Sequence, residues 1–236
     1  MILNTITSMR KTLLLAAAAL VTALPVRAQT TINSGLTTGI GTLTRGSGGF
    51  QTIGQSFTVP TLAPRLSSFG LDLTNAFAGG ALRFDAYLYA FDTANRRLTG
   101  ASLWSALNIA GSANDFAFDR RTFSIGSLAL TPDAVYMFLL TTSNQGASVP
   151  ADAGNLLGAN DVNSYAGGSL WVSNNGSSIT GLLGTGAFES VSGVSDLSFT
   201  AVFTSSSAVV PEPATVLLTA VGVALLAGVA RRRRRV

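Results

Sequence analysis

Histidine and cysteine are both absent from the 236 residues, which removes most of the side-chain chemistry an enzyme uses near neutral pH. Without imidazole the chain lacks the commonest general base and the commonest metal ligand. Without thiol it has no cysteine nucleophile, no thiolate zinc site and no disulfide. Ser-His-Asp and Cys-His arrangements are excluded, and no nucleophile elbow, Walker A loop or dinucleotide fingerprint occurs. Acid–base work would fall to carboxylates. Asp85 with Asp92, or Asp115 with Asp119, are the pairs whose type suits glycoside cleavage, where one carboxyl acts as acid and the other as base or nucleophile. Asp92-Thr93-Ala94-Asn95 and Asn160-Asp161-Val162-Asn163 carry oxygen ligands of the kind Ca²⁺ takes. Solvated turns account for the same residues. The expectation is a non-enzymatic body with no cofactor and no metal.

The elements that position these groups have a period of two. Gln55 to Val59, Leu66 to Thr74, Leu82 to Phe91, Thr122 to Ile125, Val135 to Thr142, Ser169 to Val172 and Leu197 to Phe203 read as strands. Gly79-Gly80, Pro132-Asp133, Asn144-Gln145-Gly146, Gly167-Gly168 and Asn174-Asn175-Gly176 punctuate the gaps. Gln145 to Asn163 is the longest predicted loop. No stretch from Gln29 to Ser207 carries a sustained helical stripe, and no internal repeat points to a propeller or solenoid. The fold class is therefore all-β, an antiparallel β-sandwich, jelly-roll-like, over residues 29–203.

In the third strand Leu82, Phe84, Ala86, Leu88 and Ala90 share one face, and Arg83, Asp85, Tyr87, Tyr89 and Phe91 share the other. Only one face of a two-layer sheet meets the core. Either a loop covers the aromatic side, or Tyr87 and Tyr89 form a ligand platform for extracellular polysaccharide. Sugar rings stack on such phenols.

Charge separates the body from its ends. Arg45, Arg65, Arg83, Arg96, Arg97, Arg120 and Arg121 face ten acidic residues between Asp72 and Asp196, seven against ten, a net of −3. A nucleic-acid partner would need a basic stripe on the folded body, so none is expected. The overall excess of base comes from the termini. Arg10 and Lys11 precede the apolar run Thr12 to Leu24, and Pro25 breaks that run. Val26-Arg27-Ala28 then sets small residues at the −3 and −1 positions of a cut between Ala28 and Gln29. Thirteen residues rise about 20 Å as a helix, short of the roughly 30 Å hydrocarbon core. Residues 1–28 are thus expected to be a signal peptide removed by signal peptidase, with translation starting at Met1 or Met9.

At the other end residues 204–209 form a linker. Pro211-Glu212-Pro213 follows, then the uncharged run Ala214 to Ala230, then Arg231, Arg232, Arg233, Arg234 and Arg235. Seventeen helical residues rise about 25 Å, the lower limit for a membrane span, which snorkelling arginines extend. The arginines mark their end as cytoplasmic. Each proline fixes its own φ and pushes its predecessor toward an extended form, so the tripeptide is a stiff, non-helical segment of the shape a protease cleft takes.

The order Pro-Glu-Pro, apolar helix, terminal arginine cluster over residues 210–235 resembles the PEP-CTERM sorting signal of Gram-negative bacteria. The order GQSFTV, AYLYAFD, TFSIGSLALTPDAVYMFLL is similar, more loosely, to ectodomains that accompany that signal. The resemblance implies exosortase as a processing partner that cleaves near the tripeptide. It also implies a precursor anchored in the inner membrane, and a product at the cell surface or outside it. For the body it leaves three roles open: structural or adhesive in the envelope or biofilm, carbohydrate-binding, or glycoside hydrolase.

Overall fold

The computed structural model describes residues 29–44, 49–75, 82–114, 117–145, 154–160, 164–174, 178–193, 195–205 and Gly222. All but Gly222 belong to one compact unit, Gln29–Ser206. Residues 1–28, the tripeptide 211–213 and the arginines 231–235 lie outside the described residues, as does the predicted membrane segment 214–230 apart from Gly222. Among the described residues no helix is long and apolar enough to cross a membrane.

Among the described residues twelve strands build the unit: β1 (Gln29–Asn33), β2 (Thr38–Thr44), β3 (Thr52–Thr58), β4 (Arg65–Asn75), β5 (Arg83–Asp92), β6 (Arg97–Ala110), β7 (Asp119–Ala129), β8 (Val135–Thr141), β9 (Gly154–Asn160), β10 (Leu170–Ser173), β11 (Asp196–Leu197) and β12 (Phe199–Thr204). A 3₁₀ turn spans Ile179–Leu183, with the Ser178 hydroxyl accepting from Thr180 N–H. All named strand pairs are antiparallel, as the alternating patterns and short turns require.

β4 is the axis of the first sheet. It pairs with β7 on one edge, and on the other with β12 and then, through Leu73–Asn75, with β9. β1 flanks β12, while β2 and β11 flank β9. The second sheet runs β10-β3-β8-β5-β6. A bulge keeps β4 in phase: pairing slips between Leu66 and Ser68 against both neighbours. Ser67 is the extra residue, so Leu66 and Phe69 both point inward although three positions separate them.

One apolar core joins the two sheets. Phe69 of β4 lies 5.6 Å from Phe57 of β3, 4.4 Å from Phe138 of β8 and 5.4 Å from Phe199 of β12. Leu66, Leu71, Leu73, Phe84, Leu88, Leu140, Leu157 and Phe203 surround this stack, all fully buried. Each such side chain contributes about 1.5–3 kcal/mol by leaving water, in a chain with no disulfide to assist. At the open side of the first sheet Arg120 of β7 clamps Asp72 of β4 bidentately, at 2.6 and 2.7 Å. The pair stands directly across the strands. Ser198 also donates to Asp72, so the mostly buried carboxylate has its acceptor positions filled.

Two sequence expectations change here. The predicted loop Gln145–Asn163 contains β9, whose residues from Gly154 to Ala159 are buried or half-buried between β2 and β4. Gly154-Asn155-Leu156-Leu157-Gly158-Ala159-Asn160 has no alternation because it is covered on both sides. At Gly158 a Cβ would stand 2.7–2.8 Å from Leu36 and Asp72, so only glycine fits. The second change is β6, fourteen residues that end the second sheet and pair with β5 through two register shifts. Gly100 (φ 70°) and Asn108 (φ 56°) supply the left-handed backbone at those shifts.

Candidate functional site

The aromatic face of β5 is covered. Tyr89 and Phe91 are buried in a second apolar cluster on the outer side of the second sheet, with Leu98, Met137, Leu139, Leu182 and Phe188. The covering segment runs from the 3₁₀ turn to Glu189. It is tied down by Gly186 N–H to Asn95 O (2.8 Å) and Phe188 N–H to Arg96 O (3.1 Å), and Phe188 meets Phe91 edge-on at 5.6 Å. An open platform of Tyr87 and Tyr89 is therefore not what the fold builds. Burying Met137, Leu139 and Phe91 outweighs leaving two phenols exposed.

Tyr87 alone stays half-exposed, and it belongs to a polar network. Its hydroxyl donates to Asp85 Oδ2 (3.3 Å) and accepts from Asn144 Nδ2 (3.0 Å). Asp85, 4% exposed, also accepts from Asn108 N–H (2.8 Å), Gln145 Nε2 (2.7 Å) and Asn144 Nδ2 (3.2 Å). Burial, then the Asp85 charge, raises the Tyr87 phenol above its ordinary value. With four donors on two oxygens, Asp85 has no acceptor site left for a substrate. Its role is to pin the turn after β8, and β6 through Asn108, onto β5.

The other carboxylates are scattered. Asp92 stands seven residues from Asp85 along the same strand, about 24 Å at ~3.4 Å per residue. A glycosidase pair needs about 5–9.5 Å, so these two cannot act together. Asp92 makes a turn instead, accepting from Asn95 N–H (3.0 Å) and Asn95 Nδ2 (2.7 Å), with Arg97 at 3.6 Å. Those Asn95 bonds hold its carboxyl below the ordinary range. Asp119 accepts from Ser112 Oγ (2.9 Å) and from Asn114; Asp115 lies outside the described residues.

Asp196 is fully buried and ties the two sheets, accepting from Gln55 Nε2 of β3 (3.0 Å) and Tyr165 N–H (3.1 Å). Burial raises its carboxyl, against the pull of those bonds. Among the described residues no three acidic, His or Cys side chains gather as a metal site. Of the two Ca²⁺ candidates, the oxygens of 92–95 are engaged in the turn, and 161–163 lie outside the described residues.

What the fold does assemble is a cleft of about 420 Å³, where β10 meets the covering segment. Phe50, Val172, Ser173, Asn174, Gly181, Ala187 and Glu189 line it. The Phe50 ring rests on Gly41, where a Cβ would stand 2.8 Å from the ring carbons. Asn174 Oδ1 accepts from Gln51 N–H (3.2 Å), which leaves its amide N–H groups free to donate. Alternation gave no sign of this cleft, because its residues come from three separate segments.

At the C-terminus, residues 209–235 match the PEP-CTERM protein-sorting motif, and the chain carries that motif. The match takes in Pro211, Glu212, Pro213, the apolar run and Arg231 to Arg235. Against curated proteins the chain has no match. Among solved structures it is similar to the cysteine protease and lectin-like domains of Cwp84, a surface layer associated protein of Clostridium difficile. There the identity is 12%, over 66% of this chain and 32% of that one, with a TM-score of 0.40. It is also similar to the same clostridial protease after propeptide cleavage, at 10% identity over 75% of this chain and 40% of that one, TM-score 0.44. The chain thus spans two fifths or less of those structures.

Proposed function

We propose that this is an exported, exosortase-processed protein of the cell surface or extracellular matrix, with a non-catalytic, jelly-roll-like β-sandwich that serves structural or adhesive ends in the envelope or biofilm. The sorting motif at residues 209–235 carries the reading. In it the signal peptide exports the chain and signal peptidase cuts between Ala28 and Gln29. The segment 214–230 then holds the precursor in the inner membrane with Arg231 to Arg235 on the cytoplasmic side. Exosortase takes the stiff Pro211-Glu212-Pro213 segment and separates body from anchor.

The body supports a passive role in two ways. Its charge is slightly acidic and offers nucleic acid no basic stripe. The described carboxylates Asp72, Asp85, Asp92, Asp119 and Asp196 are all held in structural bonds.

The test is fractionation in an exosortase-bearing host. Replacing Pro211, Glu212 and Pro213 with alanine is expected to leave full-size precursor in the inner membrane, while the parent appears shortened outside it and begins at Gln29. A substituted chain sized and sorted like the parent would reduce the tail to an ordinary anchor.

A further inference from the structure

We propose that the cleft between β10 and the covering segment binds a neutral polysaccharide chain, with Glu189 and Ser173 as its hydrogen-bonding groups and Phe50 as its stacking face. Its volume of about 420 Å³ falls in the range of small-ligand sites, about 300–1,000 Å³. Among the described residues neither the Ser173 hydroxyl nor the Glu189 carboxylate has a hydrogen bond or ion pair, although every other described carboxylate named above is engaged. The cleft therefore offers a carboxylate acceptor, a hydroxyl that donates or accepts, an amide donor at Asn174 and the aromatic side chain of Phe50. A sugar matches that set, with hydroxyls for the polar groups and a C–H face for the ring.

The same lining excludes the alternatives. Among the described residues no Lys or Arg lines the cleft, so an anionic polymer would meet Glu189 without a compensating charge from them. One carboxylate is far from the six to eight oxygens of a Ca²⁺ site. A peptide adding itself as a strand would need the outer edge of β10. That edge is already bonded, Glu189 N–H to Val172 O and Val172 N–H to Glu189 O, both at 2.9 Å. The inference concerns the body and is independent of how the tail is processed.

The full chain, purified in a detergent without a sugar headgroup, would be run in native gels cast with dextran, mannan or hydroxyethyl cellulose, and with polygalacturonate as the anionic comparison. At least one neutral polymer is expected to retard it, and polygalacturonate is not. Glu189→Gln and Ser173→Ala are each expected to weaken retardation about fivefold or more with an unchanged thermal midpoint. Leu62→Ala, at an 87% exposed turn position, should change nothing. The proposal fails if the folded chain passes all three neutral gels unretarded. It fails equally if both cleft variants bind like the parent, or if polygalacturonate binds as well as the neutral polymers. None of these results bears on the sorting reading, which fractionation alone decides.

Discussion

The two faces of β5 are both buried, but by different kinds of partner. Phe84, Ala86 and Leu88 face the first sheet, whose strands are fixed in register by their own ladders. Tyr89 and Phe91 face a short segment, a single 3₁₀ turn followed by extended chain, held by backbone bonds to the β5–β6 turn and, at Glu189, to Val172 of β10. Equal burial therefore does not mean equal cooperativity. The inner face is secured by the whole fold. The outer face is secured by a short flap, which is expected to open before the sheets because its opening breaks fewer contacts.

The comparison predicts a graded response to truncation. Phe69→Ala removes the ring that stacks on Phe57, Phe138 and Phe199, where two sheets prevent collapse into the space. A loss of about 3–5 kcal/mol is expected, read as a large fall in the denaturant midpoint. Phe188→Ala empties an equally buried position, yet the flap can settle. The expected loss is about 2–3 kcal/mol, with limited proteolysis cutting first between residues 174 and 195 while the sheets stay folded. If Phe188→Ala costs as much as Phe69→Ala, and no such cut precedes global unfolding, the two clusters form one cooperative core.

The smallest effect tests the polar tie between the sheets. The Asp196 carboxyl binds its proton more tightly in the folded chain than at its ordinary value of 3.8, so the folded state holds more protons than the unfolded one. Stability from this group falls as pH rises through that window and is recovered on acidification. The thermal midpoint of the parent is therefore expected to gain on that of Asp196→Asn as pH drops from 7 toward 4. A difference independent of pH would mean that water reaches the carboxyl.

Local order made the tail fully legible, since a tripeptide, an apolar run and an arginine cluster need no tertiary context to be read. In the body, runs of β-branched and aromatic residues bounded by turn residues marked β3, β4, β5, β7, β8, β10 and the β11–β12 stretch within a few residues, even where both sides are buried, as in β3 and β8. They missed β1, β2, β6 and β9. Gln29-Thr30-Thr31-Ile32-Asn33 has a single apolar side chain to signal an inner face. Thr38-Gly39-Ile40-Gly41-Thr42 is glycine-rich, and Gly41 is needed for the Phe50 ring rather than for strand propensity. β9 is specified by its three neighbours, not by its own pattern. The cleft escaped for the same reason: Phe50, Ser173 and Glu189 are 123 and 16 residues apart in the chain, and only the β10 pairing joins them.

β12 is the last strand before the tail, and it is gripped on both edges, by β1 from Gln29↔Thr204 to Asn33↔Thr200 and by β4 from Phe199↔Leu71 to Thr204↔Arg65. Ladder hydrogen bonds lie across the strand direction, so a pull drawn along β12 from its C-terminal end shears both ladders at once. A pull on Gln29 against Thr204 would instead peel β1 away one bond at a time, since the two ends lie side by side. Mechanically the body is strong through its C-terminal tether and weak through its N-terminus. A protein held at its C-terminal end and tugged at a distant face resists, while one stretched end to end opens like a zip.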